Sequence, residues 1–237
     1  MVTTTLEAKR RVAATNRILF MEGLADNVGH VSVRDPNEDV VHINPRTASR
    51  GEIRPEDVVE VSLESEPIDP EAPQPVSERE IHTALYRERE DVDAVLHLHP
   101  PLMTLFGISG TDLVPVYFRA AFLDGKVPVL DYPDKITTRE DSDRMLEAMD
   151  GQNQVLMRGH GAVIADESVE HALARAMFLE TNAYYQLYAS ILGNPNPLTR
   201  DEIERNRDQV WRDRSIQKVW HFYEWKAKEN GYLPDEW

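Results

Sequence analysis

Two histidines separated by one residue, at the end of a short alternating run, constrain this chain more than any other feature. The run covers residues 91–99 and stops at Pro100-Pro101, which is typical of a strand with an abrupt end. Because successive strand side chains point to opposite faces, His97 and His99 should point the same way. Two imidazoles side by side at the end of a strand form half of a metal site.

Two further candidate ligands lie elsewhere in the sequence. His160 stands between Gly159 and Gly161, and Glu78 precedes the strand. The chain contains no cysteine, so any metal must be held by nitrogen and oxygen. Three histidines and a carboxylate suit zinc, and they also suit manganese, iron, cobalt or magnesium. We therefore predict a divalent metal, with zinc as the first choice.

Charge and composition narrow the class of protein. The 237 residues are enough for one domain with a substantial core, and the formal net charge is −16. A strongly negative chain is a poor partner for nucleic acid or for an anionic membrane. No apolar run reaches membrane-spanning length, and the first residues lack the apolar core of a signal peptide. We expect a cytoplasmic protein that acts on a small molecule.

Strand and helix signals follow each other irregularly along the chain. Alternation and turn residues predict a hairpin over 31–43 and short strands over 58–63, 114–118, 127–130, 154–157 and 162–165. Helices are predicted where a capping residue precedes an amphipathic run, after Thr5, Ser77, Thr138 and Ser168. A G-x-G-x-x-G loop is missing, which argues against a Rossmann fold. We expect one α/β domain over residues 1–237, with a mostly antiparallel or mixed sheet and a helical, aromatic-rich extension at 199–237.

Four short motifs occur in a specific order. They are Gly-His-Val-Ser-Val-Arg at 29–34, Val-Ser-Glu-Arg-Glu-Ile-His at 76–82, Ala-Val-Leu-His-Leu-His at 94–99 and Leu-Met-Arg-Gly-His-Gly at 156–161. In this order and spacing, the chain resembles the class II aldolase/adducin superfamily from about residue 8 to residue 192. The resemblance implies an α/β fold of the three-layer α/β/α sandwich type around a central, mostly antiparallel sheet. It also implies a homotetramer with active sites at subunit interfaces.

The resemblance further implies roles for the four candidate ligands. In the superfamily's enzymes, the positions that match His97, His99 and His160 bind a divalent metal, most often zinc. The position that matches Glu78 is the acid/base residue, and it can also approach the metal. These residue types suit the chemistry, because breaking a carbon–carbon bond next to a carbonyl leaves an enolate-type anion that a Lewis acid stabilises. A carboxylate beside the metal can then move the proton.

Three segments depart from the superfamily members that act on sugar phosphates. Those members hold the phosphate with small residues and backbone amides. This chain instead has Gly-His at 29–30, Pro-Arg-Thr at 45–47 and Val-Ser at 76–77. The departures disfavour a phosphorylated substrate. We predict that the substrate is bound by Gly29, His30, Arg46 and Ser77.

A fourth departure concerns the proton donor. The superfamily's aldolases place a tyrosine after the histidine pair, at a position that here falls on Arg119. Tyr117 is the candidate catalytic acid in its place, with Tyr223 or a water molecule as alternatives. Arginine stays charged and is a poor acid, but its planar fork binds carboxylates well. We predict that Arg119 belongs to the site and binds a substrate carboxylate, together with His30 and Arg46.

The leading hypothesis is a divalent-metal-dependent carbon–carbon lyase that acts on a small hydroxy or oxo carboxylic acid, by retro-aldol cleavage or decarboxylation. One alternative is a sugar-phosphate aldolase or epimerase of the fuculose- or ribulose-phosphate type. Another is a non-haem iron oxygenase, because two histidines and Glu78 resemble its ligand triad. A scaffold like adducin's head domain predicts lost metal ligands, and all of them remain here. His82, four residues after Glu78, either orients that carboxylate or is a core residue.

Overall fold

The structure is a computed structural model that describes residues 4–237. Its strands are β1 (His30–Arg34), β2 (Val40–Ile43), β3 (Val59–Ser62), β4 (Ala94–Leu98), β5 (Val129–Leu130), β6 (Gln154–Met157) and β7 (Gly161–Asp166). Its α-helices are α1 (Thr5–Met21), α2 (Arg79–Glu88), α3 (Pro101–Ser109), α4 (Arg139–Met149), α5 (Val169–Leu192), α6 (Arg200–Val210) and α7 (Asp213–Glu229). Short 3₁₀ helices cover Pro55–Asp57 and Phe118–Ala120.

The strands form one sheet in the order β3-β2-β1-β4-β7-β6-β5. Neighbouring strands are antiparallel, except that β5 and β6 are parallel. Apolar side chains of α1, α3 and α5 pack on one face of the sheet, and those of α2 and α4 pack on the other. This arrangement confirms the predicted three-layer α/β/α sandwich with a mostly antiparallel sheet.

The central strand β4 shows how the sequence pattern sets the two faces. Leu96 and Leu98 belong to the apolar cluster under α1, α3 and α5, whereas Val95 belongs to the opposite cluster. By the same alternation, His97 points to the α2 and α4 side. His97 is fully buried at this position. The strand therefore places the imidazole of His97 in a layer that is otherwise apolar.

The chain turns into a helix directly after β4. Pro101 is the first residue of α3, where its missing N–H costs nothing and its fixed φ suits the helix. The Glu180 carboxylate of α5 accepts hydrogen bonds from the amides of Leu102 and Met103, each at 2.9 Å. These bonds satisfy two N–H groups that have no partner inside the helix. The double proline ends the strand as predicted, and it also begins a helix that the sequence pattern did not indicate.

The helix caps predicted at Thr138 and at Ser168 are confirmed. The Thr138 side chain accepts a hydrogen bond from the Asp141 amide, and the Asp141 side chain accepts one from the Thr138 amide. The Ser168 side chain accepts a hydrogen bond from the amide of His171. At the start of α1 the cap is Thr4, one residue before the predicted Thr5.

The helix cap predicted at Ser77, with Glu80 as its capping-box partner, is wrong. The helix α2 begins at Arg79, and Glu78 occupies the cap position without a capping hydrogen bond from its side chain. Glu80 does not fold back on the helix start, because it forms an ion pair with Arg87 and accepts a hydrogen bond from Ser65. Tertiary contacts therefore outweigh the local capping signal here.

The strand predicted over residues 114–118 is also wrong. No strand covers this segment and Phe118 begins a 3₁₀ helix, while side chains of α5 form hydrogen bonds with its backbone. The Asn182 side chain accepts a hydrogen bond from the Val116 amide at 2.9 Å and donates one to the Val114 carbonyl at 2.8 Å. The Gln186 side chain accepts one from the Val114 amide at 2.9 Å. The backbone groups of Val114 and Val116 therefore form hydrogen bonds with side chains of α5 and not with a neighbouring strand.

Three connections meet at one end of the sheet. Strand β1 begins at His30, β4 ends at Leu98, and a turn over residues 158–160 joins β6 to β7. In the antiparallel register, His30 lies opposite His97, and Leu98 lies opposite Ala162. Side chains that are far apart in sequence therefore converge at this end.

The last two helices lie on the α1 and α5 side of the sheet. The helix α7 packs on α5 and α1, and the Arg11 guanidinium of α1 lies 4.5 Å from the ring centroid of Trp220. None of the helices described between residues 4 and 237 is long and apolar enough to cross a membrane.

Candidate metal centre

Three of the predicted ligands come together at the sheet end. His97, His99 and His160 each offer a ring nitrogen, and these atoms lie within 4.8 Å of one another. The Nε2 atoms of His97 and His160 are 3.3 Å apart. The three rings therefore surround one small volume, as ligands of a single ion do.

The glycines on either side of His160 make this approach possible. Gly159 has φ +70°, a left-handed conformation that L side chains rarely adopt. At Gly161, a Cβ atom would lie 2.2 Å from the Leu98 carbonyl oxygen and 2.8 Å from Cδ2 of His99. A side chain at Gly161 would therefore separate β7 from the end of β4 and move His99 away from His160.

Hydrogen bonds orient two of the three imidazoles. His99 Nδ1 lies 3.4 Å from a carboxylate oxygen of Asp26, and His160 Nδ1 lies 3.3 Å from the backbone carbonyl oxygen of Asp134. Both partners only accept, so each Nδ1 carries the hydrogen and each Nε2 keeps its lone pair. Metal-bound histidines are held in this way. His97 differs, because its buried Nδ1 forms no hydrogen bond of normal geometry within residues 4–237, although an interaction with the Ala162 backbone acts to raise its pKa.

The local electrostatics favour the neutral form of His97 and of His160. Burial lowers the pKa of His97 well below its usual range, and the neighbouring His99 and His160 lower it further. Burial also lowers the pKa of His160, although the Glu78 carboxylate works in the opposite direction. Neutral imidazole is the form that binds a metal. The donor set therefore fits a divalent first-row ion such as zinc.

Glu78 stands beside the histidines. Its Oε1 accepts a hydrogen bond from the Ile136 amide at 3.3 Å and lies 3.7 Å from Nε2 of His160. The residue is buried and precedes the first residue of α2, where the positive end of the helix dipole favours a carboxylate. Glu78 is thus placed to act on a molecule that binds next to the three rings.

A cavity of about 680 Å³ opens onto this cluster. Among the predicted substrate-binding residues, His30, Arg46 and Ser77 line it. Gly29 is not among the residues that line the cavity, and a Cβ atom there would be 2.9 Å from Cβ of Ala25. The structure therefore gives Gly29 a packing role and brings the other three residues to the cavity.

Three further residues at the cavity gave no signal in the sequence. Asp26 supports His99, Lys135 adds a positive charge to the lining, and Arg50 is buried in the wall. The Arg50 guanidinium donates hydrogen bonds to the carbonyls of Gly29 and Ala48, and burial lowers its pKa. These contacts join loops that are distant in sequence, so no local spacing reveals them.

Tyr117 and Arg119 lie apart from this cavity in the described chain. The Tyr117 ring packs on the Tyr185 ring at a centroid distance of 5.0 Å. Arg119 is exposed, and its guanidinium lies 5.3 Å from the ring centroid of Phe178. Tyr223 is half-buried against the cluster under α1 and α5, and burial raises its pKa to about 12.

Comparisons with known proteins agree with this geometry. The family model of the class II aldolase and adducin N-terminal domain matches residues 10–187. A 5-deoxy-D-ribulose 1-phosphate aldolase from Bacillus thuringiensis serovar kurstaki is 28% identical over 197 residues, which cover 83% of this chain and 92% of that protein. A 3,4-dihydroxyphthalate decarboxylase from Arthrobacter keyseri is 31% identical over 201 residues, which cover 78% of this chain and 80% of that protein.

A solved structure extends the fold comparison to nearly the whole chain. An aldolase II superfamily protein from Pseudomonas syringae superposes with a TM-score of 0.85 at 21% identity, over 98% of this chain and 96% of that one. The two sequence relatives are an aldolase and a decarboxylase, which supports a lyase activity at the level of the family. With the family model matched over residues 10–187, this chain belongs to the class II aldolase/adducin family, and at that level it is a metal-dependent lyase.

Proposed function

We propose that this protein cleaves a carbon–carbon bond in a small hydroxy or oxo carboxylic acid, by retro-aldol cleavage or decarboxylation, with a bound divalent metal. The proposal rests mainly on one observation. Three histidine ring nitrogens meet beside Glu78, in a cavity whose lining carries Arg46 and Lys135.

The histidines supply the metal site in this proposal. His97, His99 and His160 would hold the ion, and we propose zinc. When bound, such an ion supplies Lewis-acid stabilisation of the negative charge that develops next to a carbonyl as the bond breaks. Three neutral imidazoles leave the positive charge of the site uncompensated, which favours an anionic ligand.

Glu78 moves the proton in this proposal. Its hydrogen bond from the Ile136 amide fixes the carboxylate beside His160. In a retro-aldol reaction it would accept the hydroxyl proton of the substrate. In a decarboxylation it would take a proton from the substrate hydroxyl or from water and pass it to the carbon that loses carbon dioxide. Both tasks need a carboxylate within reach of the reacting atoms, and the cavity brings substrate and Glu78 together.

Cationic side chains support an acidic substrate. Arg46, Arg50 and Lys135 line the cavity, and Nε and Nη1 of Arg50 donate to backbone carbonyls. We assign the substrate anion first to Arg46 and Lys135, and the planar fork of Arg46 suits a carboxylate. The same charges also attract a phosphate. Because the Bacillus relative is an aldolase of a sugar phosphate, that activity is the second candidate function.

We also propose a homotetramer in which Tyr117 and Arg119 serve the cavity of a neighbouring subunit. The ring of Tyr117 packs on Tyr185, which belongs to an exposed apolar face on α5. The other exposed members of that face are Tyr184, Tyr188, Ile191 and Leu192. Apolar patches of this kind mark interfaces. Tyr117 and Arg119 would then lie at a subunit boundary, and Tyr117 would be the proton donor.

A substrate screen tests the proposed reaction. Protein loaded with zinc, manganese or iron is assayed against hydroxy-aromatic acids and hydroxy-oxo acids, and separately against ketose 1-phosphates. The control is the double variant His97→Ala/His99→Ala. Release of carbon dioxide or an aldehyde from an acid, lost in the control, supports the proposal. Turnover of ketose phosphates alone contradicts it, and consumption of dioxygen with iron identifies an oxygenase instead.

A further inference from the structure

Four polar side chains form a continuous series of contacts in the core behind the cavity. His30 and Ser32 point to one face of β1, while His82 and Tyr86 lie four residues apart on one face of α2. His30 Nδ1 lies 2.7 Å from His82 Nε2. His82 Nδ1 lies 2.6 Å from Ser32 Oγ, which in turn lies 2.8 Å from the Tyr86 hydroxyl. We call these four residues the buried relay.

The buried relay contains neutral groups only. All four side chains are buried, and burial favours the neutral form of an imidazole or a phenol. Burial lowers the pKa of His82 to about 3 and raises the pKa of Tyr86. Each of the four groups therefore carries one hydrogen on nitrogen or oxygen. The three contacts use three of these hydrogens, so one hydrogen remains. Where that hydrogen lies depends on the direction of the hydrogen bonds.

Two of the three possible directions leave a buried donor without an acceptor. If the bonds run from His30 to Tyr86, the remaining hydrogen is on the phenol, which has no second acceptor among the described residues. If both Tyr86 and His82 donate to Ser32, the remaining hydrogen is on the fully buried Ser32 hydroxyl. Buried donors without partners are rare, because they lose their bonds to water.

The third direction gives every donor behind the cavity an acceptor. Tyr86 donates to Ser32, Ser32 donates to His82 Nδ1, and His82 Nε2 donates to His30 Nδ1. The remaining hydrogen is then on His30 Nε2, and His30 is the one member of the relay that lines the cavity. With this direction, the hydrogen bonds in the core determine which ring nitrogen of the cavity residue His30 carries the hydrogen.

We propose that the buried relay fixes His30 with its hydrogen on Nε2, so that His30 donates a hydrogen bond to a carboxylate oxygen of the substrate. His82, Ser32 and Tyr86 are the positioning residues of this donor. The inference rests on the proposed function, and it adds the group that recognises the substrate's acceptor oxygen. It also explains why a histidine stands at this position on β1.

The same tautomer excludes His30 from the metal site. A ring nitrogen of His30 lies within 4.8 Å of a ring nitrogen of His97 and a carboxylate oxygen of Glu78, so distance alone would allow a second ligand set. A protonated Nε2 has no lone pair to give, and Nδ1 is occupied by His82. His30 therefore places an N–H group beside the metal ligands and leaves the ion to the other three histidines.

Nitrogen NMR of zinc-loaded protein with labelled histidine tests the tautomer directly. We expect His30 to show a protonated Nε2 and an unprotonated Nδ1. A protonated Nδ1, or an Nε2 bound to zinc, would overturn the proposal. A second test measures the zinc content of two variants. We expect His30→Asn to keep its zinc and His97→Asn to lose it. Equal loss in both variants would make His30 a ligand and would also overturn the proposal.

Oxalate, a small dicarboxylate, tests the positioning role without any turnover. Calorimetry on the zinc-loaded protein should show about 10-fold weaker oxalate binding for His82→Leu, and partial recovery for His82→Gln, whose amide still carries N–H groups. Tyr86→Phe keeps the packing and removes one hydroxyl, so it should weaken oxalate binding less. Unchanged binding in His82→Leu, with zinc retained, contradicts the positioning role. If oxalate and NMR agree with the proposal but no acid is cleaved, the lyase function fails and the donor role stands.

Discussion

The Nε2 atoms of His97 and His160 lie 3.3 Å apart, although 63 positions separate the two residues in the chain. The carbonyl of Asp134 holds the hydrogen of His160 on Nδ1, so a lone pair on His160 Nε2 faces His97. Imidazole nitrogens with free lone pairs at such a spacing can bind one metal ion together. The pair is therefore the centre of the candidate metal site.

Removal of one of these rings should abolish metal binding. We expect His160→Ala to lower zinc affinity by more than about 100-fold, since loss of an outer partner alone costs 10–100-fold. Metal analysis after purification and competition with a chelator measure the change. The matched control is His221→Ala, which removes an exposed histidine on α7. Equal zinc content in the two variants would contradict the assignment of His160.

Loss of the carboxylate behind His99 should weaken the site without destroying it. Asp26 lies 3.4 Å from His99 Nδ1, and its charge supports the imidazole as a ligand. We expect Asp26→Asn to lower zinc affinity by about 10-fold. Chelator competition gives the ratio, and Asp112→Asn, at an exposed carboxylate paired with Lys126, is the control. An unchanged affinity would remove Asp26 from the site.

The fold and the candidate metal ligands could be predicted from the sequence because their signals are local or form ordered motifs. Alternation in β4 set the face of His97, and the glycines around His160 marked a close approach. The caps at Thr138 and Ser168 depend on side chains within three residues of the helix start. Such features need no knowledge of the tertiary structure.

The remaining features depend on contacts between distant segments. The predicted strand at 114–118 is replaced by hydrogen bonds to Asn182 and Gln186, and periodicity does not reveal such partners. Arg50 gave no signal, because its role comes from carbonyls that the fold brings to it. His82 was open between orienting Glu78 and a place in the core, and it is a fully buried core residue whose partners are His30 and Ser32.

Substitution of Gly161 should damage both stability and metal binding. A Cβ atom there would lie 2.2 Å from the Leu98 carbonyl oxygen, so β4 and β7 must move apart. We expect Gly161→Ala to lower the free energy of unfolding by about 1–3 kcal/mol, as overpacking does. Urea unfolding measures this, and zinc affinity should fall as well. Gly125→Ala, where a Cβ atom meets nothing within 4 Å, is the control and should be nearly neutral.

The ionised carboxylate of Glu80 should give stability that is lost in acid. Burial alone would raise the pKa of Glu80, but hydrogen bonds from Ser65, Arg87 and Thr83 outweigh burial and lower it. Because the folded pKa lies below the unfolded value of about 4.3, the contribution is present above that value. It is lost as the pH falls through the folded pKa.

Glu80→Gln tests this dependence on pH. At neutral pH the variant should lose about 1.5–3 kcal/mol of unfolding free energy, since the bonds to a charged group are weakened. The difference from the unsubstituted protein should shrink as the pH falls through the folded pKa of Glu80. Urea unfolding at several pH values gives the profile. The exposed Glu140→Gln variant should show little difference at any pH, and a constant difference for Glu80→Gln would contradict the argument.

Mixing two inactive variants should restore activity if Arg119 serves a neighbouring subunit. In one chain Arg119 packs on Phe178 and does not line the cavity that His99 and His160 line. His97→Ala subunits would lack the metal but supply Arg119, whereas Arg119→Ala subunits would supply the metal. In a random mixture of equal amounts, about a quarter of the sites should combine an intact metal centre with an intact Arg119.

Activity is measured after the two proteins are refolded together, against the same proteins refolded separately. If Arg119 acted within its own subunit, no site in the mixture would be complete, and activity would stay at the level of the separate variants. Full activity in Arg119→Ala alone would remove this residue from the reaction.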